Sequence, residues 1–456
     1  MKYTTLTGTL LMMICSIFFC SDPSTSPKPT GMPGDQLAQQ WCGSCHEYTP
    51  PMLLSKSIWK EDVLPAMAHR MGIYYGKLER DSLLRSTGHP EILKKSGIYP
   101  ETPLLAWEDW EKIVEYFMEL APEATPCMDY PVHIIPELTH FEVREVEHVL
   151  HPALTTLVKI LPEGRGAVFA DTKPGVSKLI TLDKDLQFVE ELNFRTTPIQ
   201  YDTQGDTLLI TTIGNNPFPS DKYDGDFQMV YRSTKSKPYD QSKILVGDLI
   251  RPVQVLYGDL DQDGLEDLVV CEFGHHIGRL AWYRNHGDGH TRHILKEGPG
   301  AIQARITDWD GDGLQDILVL MSQGREGLFL LKNAGNTPIP QFTEEQLLSF
   351  SPLHGSQYFE LHDFNKDGHL DVLYVCGDNA DKTPILKDYH GVYIFENDGS
   401  GNLSQSWFFH QNGAYKAMAA DFDGDGDLDI ASISFFPDYV ERPEESFVYL
   451  ENQGEM

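Results

Sequence analysis

The chain has 456 residues, of which 36 are basic and 68 acidic, so its formal net charge at pH 7 is −32. A chain of this length is expected to form two or three domains, each with its own core. The strong negative charge argues against nucleic acid and anionic membrane surfaces as partners and favours cationic ones.

The first 20 residues predict export. They combine one lysine, a polar run and an apolar stretch from Leu10 to Phe19, which is typical of a secretory signal and too short to span a membrane. Residues 21–34 are rich in Ser, Pro and Gly and predict a flexible tether. The junction at Cys20 resembles the lipobox of bacterial lipoproteins. We expect a periplasmic or cell-surface lipoprotein that meets the membrane only through a lipid on Cys20, or a secreted protein if Cys20 is not lipidated.

Cys42-Gly-Ser-Cys45-His46 is the first motif with chemical content. In an exported chain, two thiols separated by two residues can each form a thioether with a haem vinyl group, and the following histidine can bind the iron. A zinc site would need two further Cys or His ligands nearby, and a thioredoxin-like pair would need a βαβ context. The neighbouring sequence offers neither. The motif therefore predicts one covalent haem c with His46 as proximal ligand.

A second axial ligand is expected on the helix predicted around residues 59–71. Trp59, Val63, Met67 and Met71 recur every four residues and so share one helical face. Methionine sulfur is a common partner of cytochrome c iron. We predict Met67 as distal ligand, with Met71, His69 or an open coordination position as alternatives.

The segment LLAWEDWEKIVEYFMELAPE, residues 104–123, predicts an amphipathic helix. It resembles the C-terminal helix of small class I cytochromes c. In that family a methionine ligand usually precedes this helix, whereas here no methionine occurs between Met71 and Met118. The resemblance implies a small all-α cytochrome c-like domain over residues 35–122, exchanging electrons with a redox partner protein or another electron carrier. Proline-rich residues 123–137 predict a linker.

Four acidic stretches then repeat: YGDLDQDGLEDLVV, TDWDGDGLQDILVL, HDFNKDGHLDVLYV and ADFDGDGDLDIASI. Carboxylates at alternate positions of a tight loop suit a hard cation, and the glycine at the sixth position permits the turn. An EF-hand is excluded because the flanks read as strands and no glutamate stands at position twelve. We predict about four Ca²⁺ ions, bound by Asp259, Asp261, Asp263 and Asp267; by Asp308, Asp310, Asp312 and Asp316; by Asp363, Asn365, Asp367 and Asp371; and by Asp421, Asp423, Asp425 and Asp429.

A strand ending in Asn-x-Gly follows each acidic stretch, at Asn285, Asn333, Asn397 and Asn452. Small antiparallel sheets repeated about every 50 residues predict a β-propeller. The loop and the turn together resemble FG-GAP or VCBS repeats, the blade type of integrin α-chain propellers, over residues 250–456. Residues 150–250 predict two further blades that have lost the metal-binding set.

The chain is thus expected to be multidomain, with the helical domain followed by an all-β propeller over residues 138–456. We predict six blades, with seven as alternative, and a strand at residues 138–148 that completes the last blade and closes the ring. The pore is a candidate polar pocket. Its candidate residues are Gln254, Gln303, Tyr358, Lys416, Glu272, His275, His276 and His362.

The leading hypothesis is an exported monohaem cytochrome that transfers electrons and uses its propeller as a docking platform. One alternative is a calcium-dependent adhesion or glycan-binding propeller with an accessory or sensory haem, taking a glycan or protein ligand. Another is a propeller dehydrogenase that passes electrons to its own haem. Hydrolase signatures are missing from the sequence, which favours an electron-transfer or binding protein.

Overall fold

The computed structural model describes residues 27–76, 78–86, 90–124, 146, 148, 150–173, 175–215, 217–234, 238–335, 339–378 and 385–454. The predicted signal peptide with Cys20, most of the predicted linker and most of the predicted strand 138–148 lie outside these residues. Within the described ranges, no helix is both long and apolar enough to cross a membrane.

The N-terminal part of the described chain is helical. The helices are α1 (Gly34–Cys42), α2 (Lys56–Ile58), α3 (Leu64–Arg70), α4 (Glu79–Ser86), α5 (Pro90–Ser96) and α6 (Trp107–Leu120), with a π-helical turn Trp59–Val63 between α2 and α3 and a 3-10 turn Pro51–Leu53.

Helices α1 and α6 cross at short range. A Cβ atom on Gly34 would lie only 2.3 Å from the carbonyl oxygen of Lys112, so any other residue would force the two helices apart. Around this crossing the apolar faces of the helices form one buried core, as their 3.6-residue periodicity predicts. Its members include Leu37, Ala38, Trp59, Leu64, Trp110, Ile113 and Phe117.

Among the residues that the structure describes, twenty-three strands form six antiparallel sheets in chain order, which are the blades of a propeller. Blade 1 contains β1 (Thr155–Leu161), β2 (Gly166–Lys173), β3 (Val176–Leu182) and β4 (Phe188–Phe194), and blade 2 contains β5 (Pro198–Gln204), β6 (Thr207–Thr212), β7 (Gly225–Tyr231) and β8 (Gln241–Leu249). Blade 3 contains β9 (Pro252–Gly258), β10 (Asp267–Glu272), β11 (Arg279–Asn285) and β12 (His290–Glu297), and blade 4 contains β13 (Ala301–Thr307), β14 (Asp316–Met321), β15 (Gly327–Asn333) and β16 (Phe342–Ser349). Blade 5 contains β17 (Ser356–His362), β18 (Asp371–Cys376), β19 (Gly391–Asn397) and β20 (Leu403–His410), and blade 6 contains β21 (Ala414–Ala420), β22 (Asp429–Ser434) and β23 (Phe447–Leu450).

The prediction of six blades is confirmed, including the two blades without acidic loops. In blades 3 to 5 the second strand is buried at every position, since both of its faces pack against neighbouring blades. This explains why these strands read as continuous apolar runs. Blade 6 has three strands among the described residues. The strand predicted to complete it lies mostly outside them, so ring closure by residues 138–148 stays a prediction.

The first strands of successive blades contact one another from blade 1 to blade 6 and so form the inner wall. A glutamine at the third position of these strands links three pairs of blades, because its side-chain oxygen accepts a backbone N–H from the next blade. The links are Gln200 to Val255 at 2.7 Å, Gln254 to Ala304 at 2.7 Å and Gln303 to Phe359 at 2.8 Å. Gln254 and Gln303, which sequence suggested for a pore site, thus connect blades.

The helical region lies on one face of the propeller. Antiparallel strands alternate in direction. The acidic loops, which join the first and second strands, therefore lie on one face of the propeller. The loops that join the second and third strands, and the connections between blades, lie on the other face. Helical-region residues contact that second face. Thr49 Oγ1 lies 3.3 Å from Ser351 Oγ, Ser349 Oγ donates to Glu47 Oε2 at 2.9 Å, and Tyr99 Oη lies 3.3 Å from His276 Nε2. The acidic loops are therefore on the face opposite the helices.

Replacing Gln303 by alanine is expected to destabilise the propeller by about 1–3 kcal/mol, since the buried N–H of Phe359 loses its acceptor. Urea unfolding of the variant measures the loss. Gln405→Ala, at an exposed position of the outer strand β20, is the matched control and should leave the free energy of unfolding unchanged. Equal stability of both variants would contradict the role of Gln303 in linking blades.

Candidate functional site

The Cys42–His46 motif lies at the C-terminal end of α1. Cys42 is the last residue of the helix and is 8 % exposed, whereas Cys45 is exposed in the turn that follows. His46 Nδ1 lies 2.7 Å from the carbonyl oxygen of Glu47. A carbonyl only accepts, so Nδ1 carries the proton and Nε2 is left with the lone pair that a metal ligand needs.

The two thiols are not arranged as a reactive redox pair. Burial, followed by repulsion from Cys45, raises the pKa of Cys42 to about 11. Reactive Cys-x-x-Cys pairs instead have lowered thiol pKa values, often at the positive N-terminal end of a helix. Here Cys42 ends a helix, where the dipole disfavours a thiolate. The thioredoxin-like alternative is accordingly disfavoured.

The candidates for distal ligand differ in their surroundings. Met71 caps α3 at its C-terminal end and is buried in the helical core, whereas Met67 packs at the edge of that core and is half-buried. His69 Nε2 lies 2.8 Å from Glu79 Oε1 and is engaged in that ion pair. The assignment of Met67 as distal ligand stays a prediction.

One buried hydrogen-bond donor beside the motif has no acceptor in the part of the chain that the structure describes. The indole nitrogen of Trp41, on the last turn of α1, is buried and finds no hydrogen-bond acceptor among the described residues. A buried donor without a partner costs about 1–3 kcal/mol, so an acceptor brought by a bound group would be favoured there. A haem carries two propionates that can accept such a bond. The residues around Cys42 therefore fit the group that the motif predicts.

Each acidic loop is closed by its first aspartate, whose Oδ2 accepts the N–H of the glycine at the sixth position. The distances are 2.9 Å for Asp259 and Gly264, 3.0 Å for Asp308 and Gly313, 2.9 Å for Asp363 and Gly368, and 3.2 Å for Asp421 and Gly426. These glycines have φ from +87° to +98°, and a Cβ atom added to any of them would have no neighbour within 4 Å. The backbone conformation, and not a lack of space, therefore requires glycine.

Carboxylate oxygens converge within these loops. Three groups each offer oxygens that lie within 4.8 Å of one another, as cation binding requires. They are Asp259, Asp261 and Asp263; Asp308, Asp310 and Asp316; and Asp421, Asp423 and Asp425. The fold thus brings together three of the four predicted ligand positions in each of these blades, and metal binding there stays a prediction.

The aspartate at the ninth position, predicted as a ligand, also has a second role. It is fully buried at the start of the second strand, and its two oxygens accept one N–H from the loop and one from the Asn at the end of the third strand. The acceptors and donors are Asp267 with Leu260 and Asn285, Asp316 with Trp309 and Asn333, Asp371 with Phe364 and Asn397, and Asp429 with Phe422 and Asn452. We call this contact the Asp–Asn link.

The side chain of the asparagine adds two further hydrogen bonds to the link. In every repeat its Nδ2 donates to the carbonyl of the loop's eighth residue, for example Asn285 to Glu266 at 3.0 Å, while its Oδ1 accepts the N–H two residues further on. The sequence pattern indicated only a turn at these asparagines. Their recurrence after the ninth aspartate in each repeat was the signal that the two residues pair.

One further carboxylate in blade 6 was missed at the sequence level. Asp427, the seventh residue of its loop, is only 8 % exposed, and its Oδ1 has no hydrogen-bond partner among the described residues. The other repeats have Leu265, Leu314 and His369 at this position, so the repeat pattern did not indicate a ligand there. An unpaired buried carboxylate oxygen inside an acidic loop fits a bound cation.

The other polar candidates have partners within the propeller. Glu272 is fully buried and ion-pairs with Arg279, at 2.7 Å from Oε1 to Nε. His276 Nδ1 lies 2.8 Å from Asp221 Oδ2, and His362 Nε2 lies 3.0 Å from Glu360 Oε2. Tyr358 Oη also donates to Glu360, at 2.7 Å, and Lys416 Nζ lies 4.9 Å from the centroid of the Tyr358 ring, so three of the candidates meet around this glutamate. The polar pore site itself stays a prediction.

Two adjoining cavities open on the acidic-loop face beside blade 2, with volumes of about 420 Å³ and about 510 Å³. Both are lined by Gln204, Leu209, Tyr257 and Glu266, so they form one groove. The β5–β6 connection is a two-residue turn where blade 3 has its acidic loop. The shorter turn of blade 2 leaves the space that forms the groove.

A buried acid lies on the opposite face, near the helical region. Glu326, in the β14–β15 loop, accepts the N–H of Ser356 at 2.6 Å, and burial raises its pKa from 4.5 to about 8. Between these two pH values the folded chain keeps a proton that the unfolded chain has lost. The contribution of Glu326 to the free energy of unfolding is therefore fully present at or below about pH 4.5 and is lost as the pH rises towards 8.

Glu326→Gln should remove this part of the pH dependence, because glutamine can still accept from Ser356 but carries no charge. The wild-type chain is expected to lose up to about 1.4 kcal/mol per pH unit through this one group between about pH 5 and pH 8. Urea unfolding of both chains at the two pH values measures the difference. Glu345→Gln, at an exposed position, should behave like the wild type. Parallel pH dependences of wild type and Glu326→Gln would contradict the prediction.

Comparison with known families finds FG-GAP-like repeats at residues 259–319, 308–374 and 363–432. Blades 3 to 6 thus contain the repeat type that the sequence resembles, and the match includes none of the helical region. No curated protein matches the chain.

Several solved structures resemble the chain weakly. The periplasmic gluconolactonase PpgL of Pseudomonas aeruginosa has 12 % identity and a TM-score of 0.40, covering 69 % of this chain and 88 % of its own. An Agrocybe aegerita lectin that recognises non-reducing terminal N-acetylglucosamine has 15 % identity and a TM-score of 0.34, with coverages of 62 % and 74 %. BamB of Moraxella catarrhalis has 11 % identity and a TM-score of 0.37, with coverages of 67 % and 86 %.

Proposed function

We propose that this chain is an exported, lipid-anchored monohaem c-type cytochrome that transfers single electrons and carries a calcium-binding propeller as its docking platform. The observation that supports it most is the geometry of Cys42, Cys45 and His46 at the C-terminal end of α1. The high thiol pKa of Cys42 opposes thiol redox chemistry, and the hydrogen bond of His46 Nδ1 leaves Nε2 available. A bound haem would supply one-electron redox chemistry.

The residues around the motif have distinct proposed roles. Cys42 and Cys45 would hold the haem through thioethers, and His46 Nε2 would be the proximal ligand. Trp41 would donate its orphaned N–H to a propionate, and Met67 would be the distal ligand, with Met71 as alternative. The redox partner is expected to be a protein or small carrier that approaches the helical region, where the propeller does not cover it.

Covalent haem is the first requirement. The chain produced with c-type haem maturation machinery should retain haem after denaturation, seen by peroxidase staining of a denaturing gel and by a reduced c-type spectrum. The double variant Cys42→Ser, Cys45→Ser should lose the stain, because neither thioether can form. Cys271→Ala, which removes a buried cysteine of the propeller, is the control and should keep it. An unstained wild-type chain would overturn the cytochrome assignment.

The distal ligand is tested on the haem-loaded chain. Met67→Ala should abolish the methionine-to-iron charge-transfer band and lower the reduction potential, because a thioether ligand favours ferrous iron. Met71→Ala, a matched change four residues later, should retain the band. The reverse pattern would assign Met71, and a wild-type chain that lacks the band would point to His69 or an open position.

We also propose that calcium binds the acidic loops and stabilises the propeller. The loops gather aspartates whose mutual repulsion a divalent cation would offset, and Asp427 holds an unpaired buried oxygen there. A cation that binds only the folded chain adds folding free energy, about 2.7 kcal/mol at about a hundred times its dissociation constant. The proposed role is structural, since the loops lie on the face opposite the helical region and its predicted haem.

A second candidate function is ligand binding by the propeller, as in an adhesion or glycan-binding module with an accessory haem. The groove beside blade 2 favours it, because it combines an apolar floor at Leu209 with polar groups at Gln204 and Glu266. The dehydrogenase hypothesis has no comparable support, since several of the pore candidates are engaged in structural pairs.

A further inference from the structure

The position just before the link asparagine carries opposite charges in different blades. It is Arg284 in blade 3 and Lys332 in blade 4, but Glu396 in blade 5 and Glu451 in blade 6. This residue lies at or next to the end of the third strand, and the Asp–Asn link brings that end against the acidic loop of its own blade. Each loop therefore has a built-in charge beside it, positive in two blades and negative in two.

In blades 3 and 4 the built-in cation contacts the predicted ligands themselves. Arg284 ion-pairs with Asp261 and lies 3.5 Å from Asp263, and Lys332 ion-pairs with Asp310. A metal ion at these loops must share the carboxylates with a fixed positive charge that repels it.

Blade 6 has the opposite arrangement. Its loop contains five aspartates, at positions 421, 423, 425, 427 and 429, and Glu451 lies close enough to repel Asp423. Lys366 of the neighbouring loop donates to the carbonyl oxygen of Gly426 at 3.2 Å and not to a carboxylate. Asp427 adds a buried oxygen without a partner in the described structure. This loop therefore has the most negative charge of the four, and in the described structure none of its aspartates forms an ion pair of the kind that Arg284 and Lys332 form in blades 3 and 4.

We propose that the four loops bind cations in a fixed order, with the blade 6 loop as the highest-affinity site, Asp427 as its additional ligand, and Arg284 and Lys332 as residues that weaken blades 3 and 4. This inference rests on the proposed calcium binding. Calcium at low concentration would then occupy the last blade first.

Isothermal titration of the full chain with Ca²⁺, after removal of bound metal by a chelator, should resolve a tight phase of about one ion per chain and a weaker phase. Asp427→Asn should weaken the tight phase about tenfold and leave the weaker phase unchanged. Arg284→Gln and Lys332→Gln should each tighten part of the weaker phase about tenfold, because a repelling charge is gone.

Two exposed residues outside the four acidic loops provide matched controls. Asp185→Asn, in the β3–β4 turn, and Arg325→Gln, on the opposite face, should change neither phase. A tight phase that survives Asp427→Asn, or a weaker phase that Arg284→Gln fails to tighten, would overturn the proposed order. The gain in affinity expected for Arg284→Gln and Lys332→Gln keeps the test decisive even if the Asp427→Asn variant folds poorly. Absence of any calcium binding to the wild-type chain would instead overturn the proposed calcium role itself.

Discussion

The Asp–Asn link is the contact on which the acidic side of the propeller depends. A fully buried carboxylate at the start of the second strand is tolerated because both of its oxygens accept backbone N–H groups, one from each side of the blade. The link holds the acidic loop against the end of the third strand. As a result the loop keeps its shape through backbone contacts, and the charge of the residue before the asparagine acts on the loop carboxylates.

The glutamine links also satisfy backbone N–H groups, but between neighbouring blades and not within one blade. An inner strand of a propeller must satisfy its backbone groups near the axis, where the next blade is the nearest neighbour. Gln200, Gln254 and Gln303 each provide that acceptor. In blade 5 the link is made by Glu360, whose Oε2 accepts the N–H of Ala419 at 3.0 Å. Polar residues on the inner wall are therefore not in themselves signs of a catalytic pore.

The chain separates two kinds of chemistry in space. The helical region with Cys42, Cys45 and His46 contacts one face of the propeller, through Thr49 and Tyr99 among others, and the acidic loops leave the opposite face. On our proposal, electron transfer and cation binding would thus take place at sites that do not share ligands. The propeller would support the haem-bearing region through contacts of its blade connections, independently of the loops.

The sequence by itself determined the repeat, the strands and the positions of the acidic loop residues. Alternating carboxylates, the sixth-position glycines and short apolar runs are local patterns, and local patterns follow from backbone geometry. Six blades, two of them without acidic loops, could be predicted for the same reason. The motif of Cys42, Cys45 and His46 was also visible in the sequence, because the thioether chemistry it predicts depends on a spacing within one turn of chain.

Only the tertiary structure decided which residues that are distant in the sequence contact one another. It paired Asp267 with Asn285 across a blade, assigned Gln303 to Phe359 of the next blade, and left Asp427 with an unpaired oxygen. It also positioned Arg284 and Lys332 on carboxylates of distant loop residues and the helices on the face opposite the loops. These contacts join residues that are far apart in the chain, and neither propensity nor periodicity carries that information. Packing of whole blades determines them.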